Sequence, residues 1–305
     1  MSTATMPKKD QSNEVRDSDL RHVRNAGIKK LAGYAVLVIF AVIYLYPFAI
    51  QIATSFKDDA QAAATPLSLI PNPFDLSAWK RMFGIGSTDT SVPIMTWLGN
   101  SVLVTVIVTA SRVFFDSLAG YALSRLHFRG RNALFAAVLA VMSVPGVALL
   151  VPKFLIVTYL GIYDTYTAMI FPLLVDAAGV FIMKQFFDSV PVSIEEAARM
   201  DGAGVFRTFW SVVLPMARPA LITLTILAFQ GSWNEFSHFL VVTQSPEHKT
   251  LITGLASLTS GSLGSGLQFP LKMGAALLTT IPVAVLFFTF QRYFVTGGNE
   301  GGVKG

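Results

Sequence analysis

An all-α integral membrane protein with six transmembrane helices is the fold this sequence predicts, on three observations. The chain of 305 residues is 53% hydrophobic and 13% charged, whereas soluble domains carry roughly a quarter charged residues. Its apolar residues gather into six runs, each near the ~20 residues that cross a bilayer as helix. Those runs lack the polar–apolar alternation of barrel strands, so helices must satisfy their backbones.

Residues 1–30 carry seven basic and four acidic side chains and are expected to form a mostly disordered arm. The first span is 31–52, too long for a signal-peptide core of roughly 7–15 residues. The others are expected near 96–123, 133–158, 165–187, 216–243 and 271–294. Residues 54–94 hold Pro66, Pro71 and Pro73 and the stretch "SAWKRMF", which reads as a long loop with short helices. Residues 244–270 are rich in Ser, Gly and Thr, the composition of a mobile loop. The tail 297–305, with its glycines, is expected to be flexible.

Basic residues orient the bundle. With the N-terminus inside, sixteen of the 23 Lys and Arg fall on inside segments and six outside, with Arg112 inside the second span. The positive-inside rule then places both termini, and the segment between spans four and five, in the cytoplasm.

That segment, "EEAARMDGAGVFRTFWSVVLP" at 195–215, is a charged interruption in an apolar chain. Ser193 followed by Glu196 has capping-box spacing, predicting a helix from Ile194. Gly202 and Gly204 bracket a turn. Val205, Phe206, Phe209 and Val213 follow at helical spacing and predict an apolar face. On these grounds alone the segment is either an interfacial linker or a docking helix for another protein.

Other chemistries find little support. The chain has no cysteine, and His22, His127, His238 and His248 have no ligand spacing. No metal site, nucleophile–base pair or phosphate loop is legible, and nothing points to nucleic acid. Arg112 and Asp116 lie four apart in the second span, where opposite charges share a helix face. They read as a neutralised pair, with a polar pathway as the alternative. Asp176 and Glu235 lack a sequence-adjacent partner and read either as pathway residues or as interhelical partners of another subunit.

The 195–215 segment resembles the EAA loop of ABC-importer permeases: Glu196-Ala197-Ala198, three residues, Gly202, nine residues, then Val212-Val213-Leu214-Pro215. Val212 stands where the family has isoleucine. "WLGNSV" (97–102), "GSWNEF" (231–236) and the terminal "GGVKG" (301–305) are similar to the MalG-type branch of carbohydrate importers. The likeness covers about residues 31–305.

This resemblance implies a type I importer permease fold, with an arm at 1–30, a permease domain at 31–296 holding the EAA loop (191–215) and external loop (244–270), and a tail at 297–305. It implies a non-catalytic subunit in a bacterial or archaeal cytoplasmic membrane, importing a carbohydrate or polyol. It implies a MalF-type partner permease, two ATPase subunits that carry ATP and magnesium, and an extracytoplasmic solute-binding protein. No cofactor is expected on this chain itself. Coupling to the ATPase is expected at Glu196, Ala197, Ala198, Asp201, Gly202, Leu214 and Pro215. The tail residues Gly301, Gly302, Val303, Lys304 and Gly305 are expected at the ATPase interface. Asn100 and Asn234 match family positions and join Asp176 and Glu235 as pathway candidates. The external loop is expected to probe the binding protein as a flexible element. An ion-coupled secondary transporter is the alternative, but no inverted repeat is legible to support it.

Overall fold

The computed structural model describes residues 11–85, 92–259 and 268–300, without the side chains of 11–29 and 292–300. The tail positions 301–305 lie outside the described residues, as do 260–267 of the external loop.

Among the described residues every regular element is a helix, joined by turns and irregular segments. α1 runs Gln11–Ser55 over 45 residues, about 68 Å at 1.5 Å per residue. Residues 11–29 therefore continue the first span as helix, where composition suggested disorder. Their mixed charges are compatible with helix, and the adjoining apolar run supplies the nucleus. Two short helices follow as expected in the loop, α2 (Asp59–Ala64) and α3 (Ser77–Met82).

α4 (Ile94–Arg125) is a single straight-through span of 32 residues. α5 (Arg131–Met142) and α6 (Leu150–Tyr159) make up the third apolar run, and they are bent from one another by 102°. The bend falls at Ser143–Pro145, where proline removes a donor and disfavours helix in the residue before it. α7 (Tyr166–Ile170) and α8 (Ala177–Ser189) form the fourth run, broken at 174–176. α9 (Val192–Met200) and α10 (Val205–Thr208) follow, then a π-helical turn at Phe209–Val213 and α11 (Leu214–Met216). The fifth run also differs from expectation: α12 (Arg218–Trp233) stops at Asn234, and α13 (Ser237–Val242) completes it.

α14 (Leu251–Thr259) lies in the expected mobile loop. It is held rather than loose: Leu251 and Leu258 are buried in a core with Trp97, Trp233 and Leu271. A Cβ on Gly254 would meet the Trp97 ring at 2.1 Å, so glycine there permits packing, not mobility. α15 (Phe269–Glu300) closes the chain, extending helix into the first four residues of the expected flexible tail.

Among the described residues four helices are long and apolar enough to cross a membrane, or up to six if each of two bent pairs, Arg131–Met142 with Gly146–Tyr159 and Val205–Met216 with Arg218–Trp233, counts as one span. α4 is the axis. α8 and α12 pack against it, while α1 packs mainly along α15. The α4–α8 crossing is close, because a Cβ on Gly120 would lie 2.7 Å from Met183 Cβ and 2.8 Å from the Lys184 nitrogen. Small residues at such crossings let helix backbones approach where lipid gives no hydrophobic drive. Three buried clusters stack along the axis: one around Trp97, one around Val104 and Phe239, and one around Tyr121, Phe187 and Phe209.

Candidate functional site

The Arg125 end of the bundle carries the segment that the sequence singled out. α9 starts at Val192 with Pro191 as its N-cap, and no side chain caps it. The expected capping box from Ser193 to Glu196 does not form. Pro191, at φ −59° and ψ 130°, already sets the extended residue before the helix, so Ser193 lies inside the first turn. Glu195 and Glu196 then point apart. Glu195 is 2% exposed, whereas Glu196 and Ala197 are exposed and Ala198 is half-buried.

Burial of Glu195 is possible because charge and donors meet it. Arg125 Nε lies 3.0 Å from Glu195 Oε1, an ion pair rather than an aligned hydrogen bond. Tyr121 donates to Glu195 Oε2 at 3.3 Å. Arg125 Nη2 also donates to the carbonyls of Phe187 and Val190 at the end of α8. Removing one partner of such a buried pair costs about 3–5 kcal/mol, since the other charge is left uncompensated.

α9 ends as the glycines predict. Ala203 N donates to Ala198 O and Gly202 N to Arg199 O, both at 2.9 Å, the bond pattern of a Schellman cap. Gly202 takes the left-handed position at φ 80°. Gly204 has an ordinary negative φ of −73° and caps α10 instead. Asp201 and Gly202 are exposed. The expected apolar face is split: Phe209 and Val213 are buried, but Val205 is exposed and Phe206 is 74% exposed. The split precedes the π-helical turn: Val205 and Phe206 open α10 at the surface, and burial begins at Thr208. Leu214 is half-buried and Pro215 exposed.

Sequence reasoning missed Glu195, Arg125 and Tyr121. One signal was available: in the first turn of α9, adjacent glutamates must occupy different faces.

The middle of the bundle corrects the Arg112–Asp116 pair. Arg112 Nε donates to Leu173 O at 2.8 Å, and Asp116 Oδ1 accepts from Asp176 N at 3.0 Å. The two side chains therefore serve the free backbone groups at the break between α7 and α8, which hydrocarbon could not satisfy. Asp176 caps α8 through Gly179 N at 3.2 Å. Arg112, Asp176, Gly179 and Leu224 line a cavity of about 60 Å³.

The other pathway candidates do not converge with Asp176. Glu235 accepts from His238 N at 2.8 Å and caps α13, while Asn234 is the exposed C-cap of α12. Asn100 sits at the far end. Its amide donates to Glu247 O at 2.6 Å and Lys249 O at 2.9 Å, and its oxygen accepts from Tyr166 at 2.7 Å.

Asn100 is part of a clasp on residues 244–251. Trp97 Nε1 donates to Pro246 O at 2.8 Å, and Leu251 N donates to Ser101 Oγ at 2.8 Å. Asp164 accepts from Gln244 N at 2.9 Å and from the Ser245 hydroxyl, and lies 3.4 Å from His248 Nδ1. Burial opposes the charge on Asp164, yet the Ser245 and Gln244 hydrogen bonds and nearby His248 hold its carboxyl below the ordinary 3.8. A value lowered on folding stabilises the clasp fully above 3.8 and is lost as pH falls through the lowered value. Amide protection at 244 and 245, measured by hydrogen exchange against intrinsic rates, should therefore drop below about pH 4. Asp164→Asn should remove that pH dependence; a wild-type profile in the variant would place the titration elsewhere.

The comparisons with known proteins agree in kind. The family model described as "Binding-protein-dependent transport system inner membrane component" matches residues 116–297. The inner membrane ABC transporter permease protein YcjP of Escherichia coli (strain K12) is 32% identical over 280 residues, 91% of this chain and 98% of that protein. The arabinooligosaccharides transport system permease protein AraQ of Halalkalibacterium halodurans is 33% identical over 273 residues, 90% of this chain and 95% of its own. The sn-glycerol-3-phosphate transport system permease protein UgpE of Yersinia enterocolitica is 30% identical over 264 residues, 87% and 94% respectively. A solved chain from a bacterial ABC transporter involved in import of the acidic polysaccharide alginate matches with TM-score 0.76 at 24% identity, over 96% of this chain and 100% of that one. At that identity the likeness speaks for the fold.

Proposed function

The chain belongs to the family of binding-protein-dependent transport system inner membrane components, and from that premise we propose that it is half of the membrane pathway of an ATP-driven carbohydrate or polyol importer. It is a multi-pass permease subunit of an ABC transporter. Membership in that family sets aside the ion-coupled alternative. Relatives named for arabinooligosaccharides and sn-glycerol-3-phosphate support the substrate class.

In this reading a MalF-type permease completes the pathway, and two ATPase subunits hold ATP and magnesium. An extracytoplasmic binding protein delivers the solute. Both termini and the Arg125 end face the cytoplasm. The single observation that carries the reading is the split of α9: Glu195 is buried while Glu196, Ala197, Asp201 and Gly202 are exposed. A helix anchored on one face and bare on the other is built to be pushed by a partner. The bare face is the ATPase docking surface, with Ala198, Leu214 and Pro215 supporting it. The tail 301–305 reaches the same interface.

Because the chain has no cysteine, one introduced thiol reports without background. Ala197→Cys should cross-link to the ATPase in the assembled complex. Leu67→Cys, exposed in the loop beyond α1, should not. Cross-linking from position 67 and none from 197 would reverse the proposed orientation.

A further inference from the structure

The buried pair at the Arg125 end cannot dock a partner, because neither group is exposed. Its geometry serves a different end. Arg125 is the last residue of α4. Its Nε meets Glu195 of α9 at 3.0 Å, and its Nη2 holds the Phe187 and Val190 carbonyls of α8. Ser124 adds a bond of 2.6 Å to Asp188 of α8. One guanidinium thus ties three elements together. Tyr121 reinforces the knot: it donates to Glu195 at 3.3 Å, and its ring packs on Phe187 at 5.7 Å and Phe209 at 5.0 Å.

The chemistry of this knot differs from that of the apolar core around it. Apolar contact is non-directional, so packed helices can slide while staying buried. A buried carboxylate and guanidinium are tolerated only while they remain paired with good geometry. Any slip of α9 across the end of α4 would strand the Arg125 charge and leave Glu195 with only the exposed Arg199, 4.0 Å away on α9 itself. The pair therefore permits α9 to move only together with α4 and α8.

We propose that Glu195 and Arg125 are positioning residues forming the transmission joint of the importer, so that a push on α9 becomes a concerted displacement of α4 and α8. The inference rests on the ABC-importer reading. It adds that the force leaves the docking helix through its buried face, by way of an ion pair rather than the exposed face where the push arrives.

The test uses the whole complex with its partner permease, ATPase and binding protein, in lipid nanodiscs and proteoliposomes. Spin labels are placed at Ser193→Cys on α9 and Val106→Cys on α4, both exposed positions. In the native-pair background the label distance should change by less than about 2 Å, the scale of ordinary helix shifts, between nucleotide-free and ATP-trapped states. With Glu195→Gln the distance should differ between the states. Uptake per ATP hydrolysed should fall roughly tenfold, within the usual range of coupling between sites.

If that variant fails to assemble, Arg125→Met combined with Glu195→Leu refills the site with apolar volume, a replacement that buried pairs often tolerate. It should assemble yet remain uncoupled. Wild-type uptake per ATP in the assembled double variant would overturn the proposal. So would a large distance change between states with the native pair present. A native complex that hydrolyses no ATP with its binding protein would instead defeat the importer reading on which the proposal rests.

Discussion

Gly202→Asp should abolish ATP-driven uptake while the subunit still inserts in the membrane. Gly202 holds φ at +80° in the cap that ends α9, and a Cβ there would meet no atom within 4 Å. The penalty is therefore conformational rather than steric, about 1–2 kcal/mol for an L-residue in the left-handed region. That alone is roughly fivefold to thirtyfold in an equilibrium. Aspartate tolerates this region better than most residues, but it also sets a new charge beside Asp201 on the exposed surface. Gly202→Ala separates the two effects, since it carries backbone strain without charge, and should give an intermediate loss. The measurements are solute uptake in proteoliposomes and recovery of ATPase with the purified permease. Native uptake and native ATPase recovery in Gly202→Asp would reject this surface as the docking site.

Gly120→Leu should be the most damaging single change to the fold. The Cβ would start 2.7 Å from Met183 Cβ and 2.8 Å from a backbone nitrogen, and backbone cannot rotate away as a side-chain tip can. Overpacking in a well-filled core costs about 1–3 kcal/mol where neighbours can shift; at this crossing a whole helix must move. The consequence spreads, because Arg125 depends on the α8 carbonyls just beyond the crossing. We expect a marked fall in the thermal midpoint of the purified subunit and in its resistance to protease. Gly33→Leu is the control, since a Cβ at Gly33 has nothing within 4 Å. Equal stability of the two variants would show that the α4–α8 approach is not a stabilising contact.

The two predictions draw on different parts of the sequence. The position of α9 and its terminal glycine were legible, because charged residues stand out against apolar runs and a left-handed cap demands glycine. The six apolar runs were legible for the same reason of contrast. Their shapes were not. A hydropathy sum over 133–158 is blind to direction, although Pro145 and Gly146 marked the place where the run turns. The break at Asn234 in the fifth run was hidden likewise.

Long-range partners were hidden more deeply. Arg112 and Asp116 looked complementary at four residues' spacing, yet each bonds backbone some sixty positions away. Glu195 finds Arg125 across seventy residues, and local periodicity holds no record of that distance. The serine and glycine content of 244–270 suggested mobility, but composition cannot tell a glycine that loosens a chain from one that, like Gly254, seats an indole.

The 102° turn between α5 and α6 has a bearing on solvent. Each arm, at 12 and 10 residues, measures about 15–18 Å, roughly half of a hydrocarbon core. The corner itself breaks the helical ladder between Met142 and Gly146 and exposes large side chains, with Val144 at 42% and Val147 at 73% exposure. Acyl chains cannot hydrate or hydrogen-bond such peptides, and irregular backbone at membrane depth survives only against protein or along a wet cavity. The lipid annulus must therefore be interrupted at this corner. Viewed from the membrane plane, the monomer has a side that bilayer alone cannot wet.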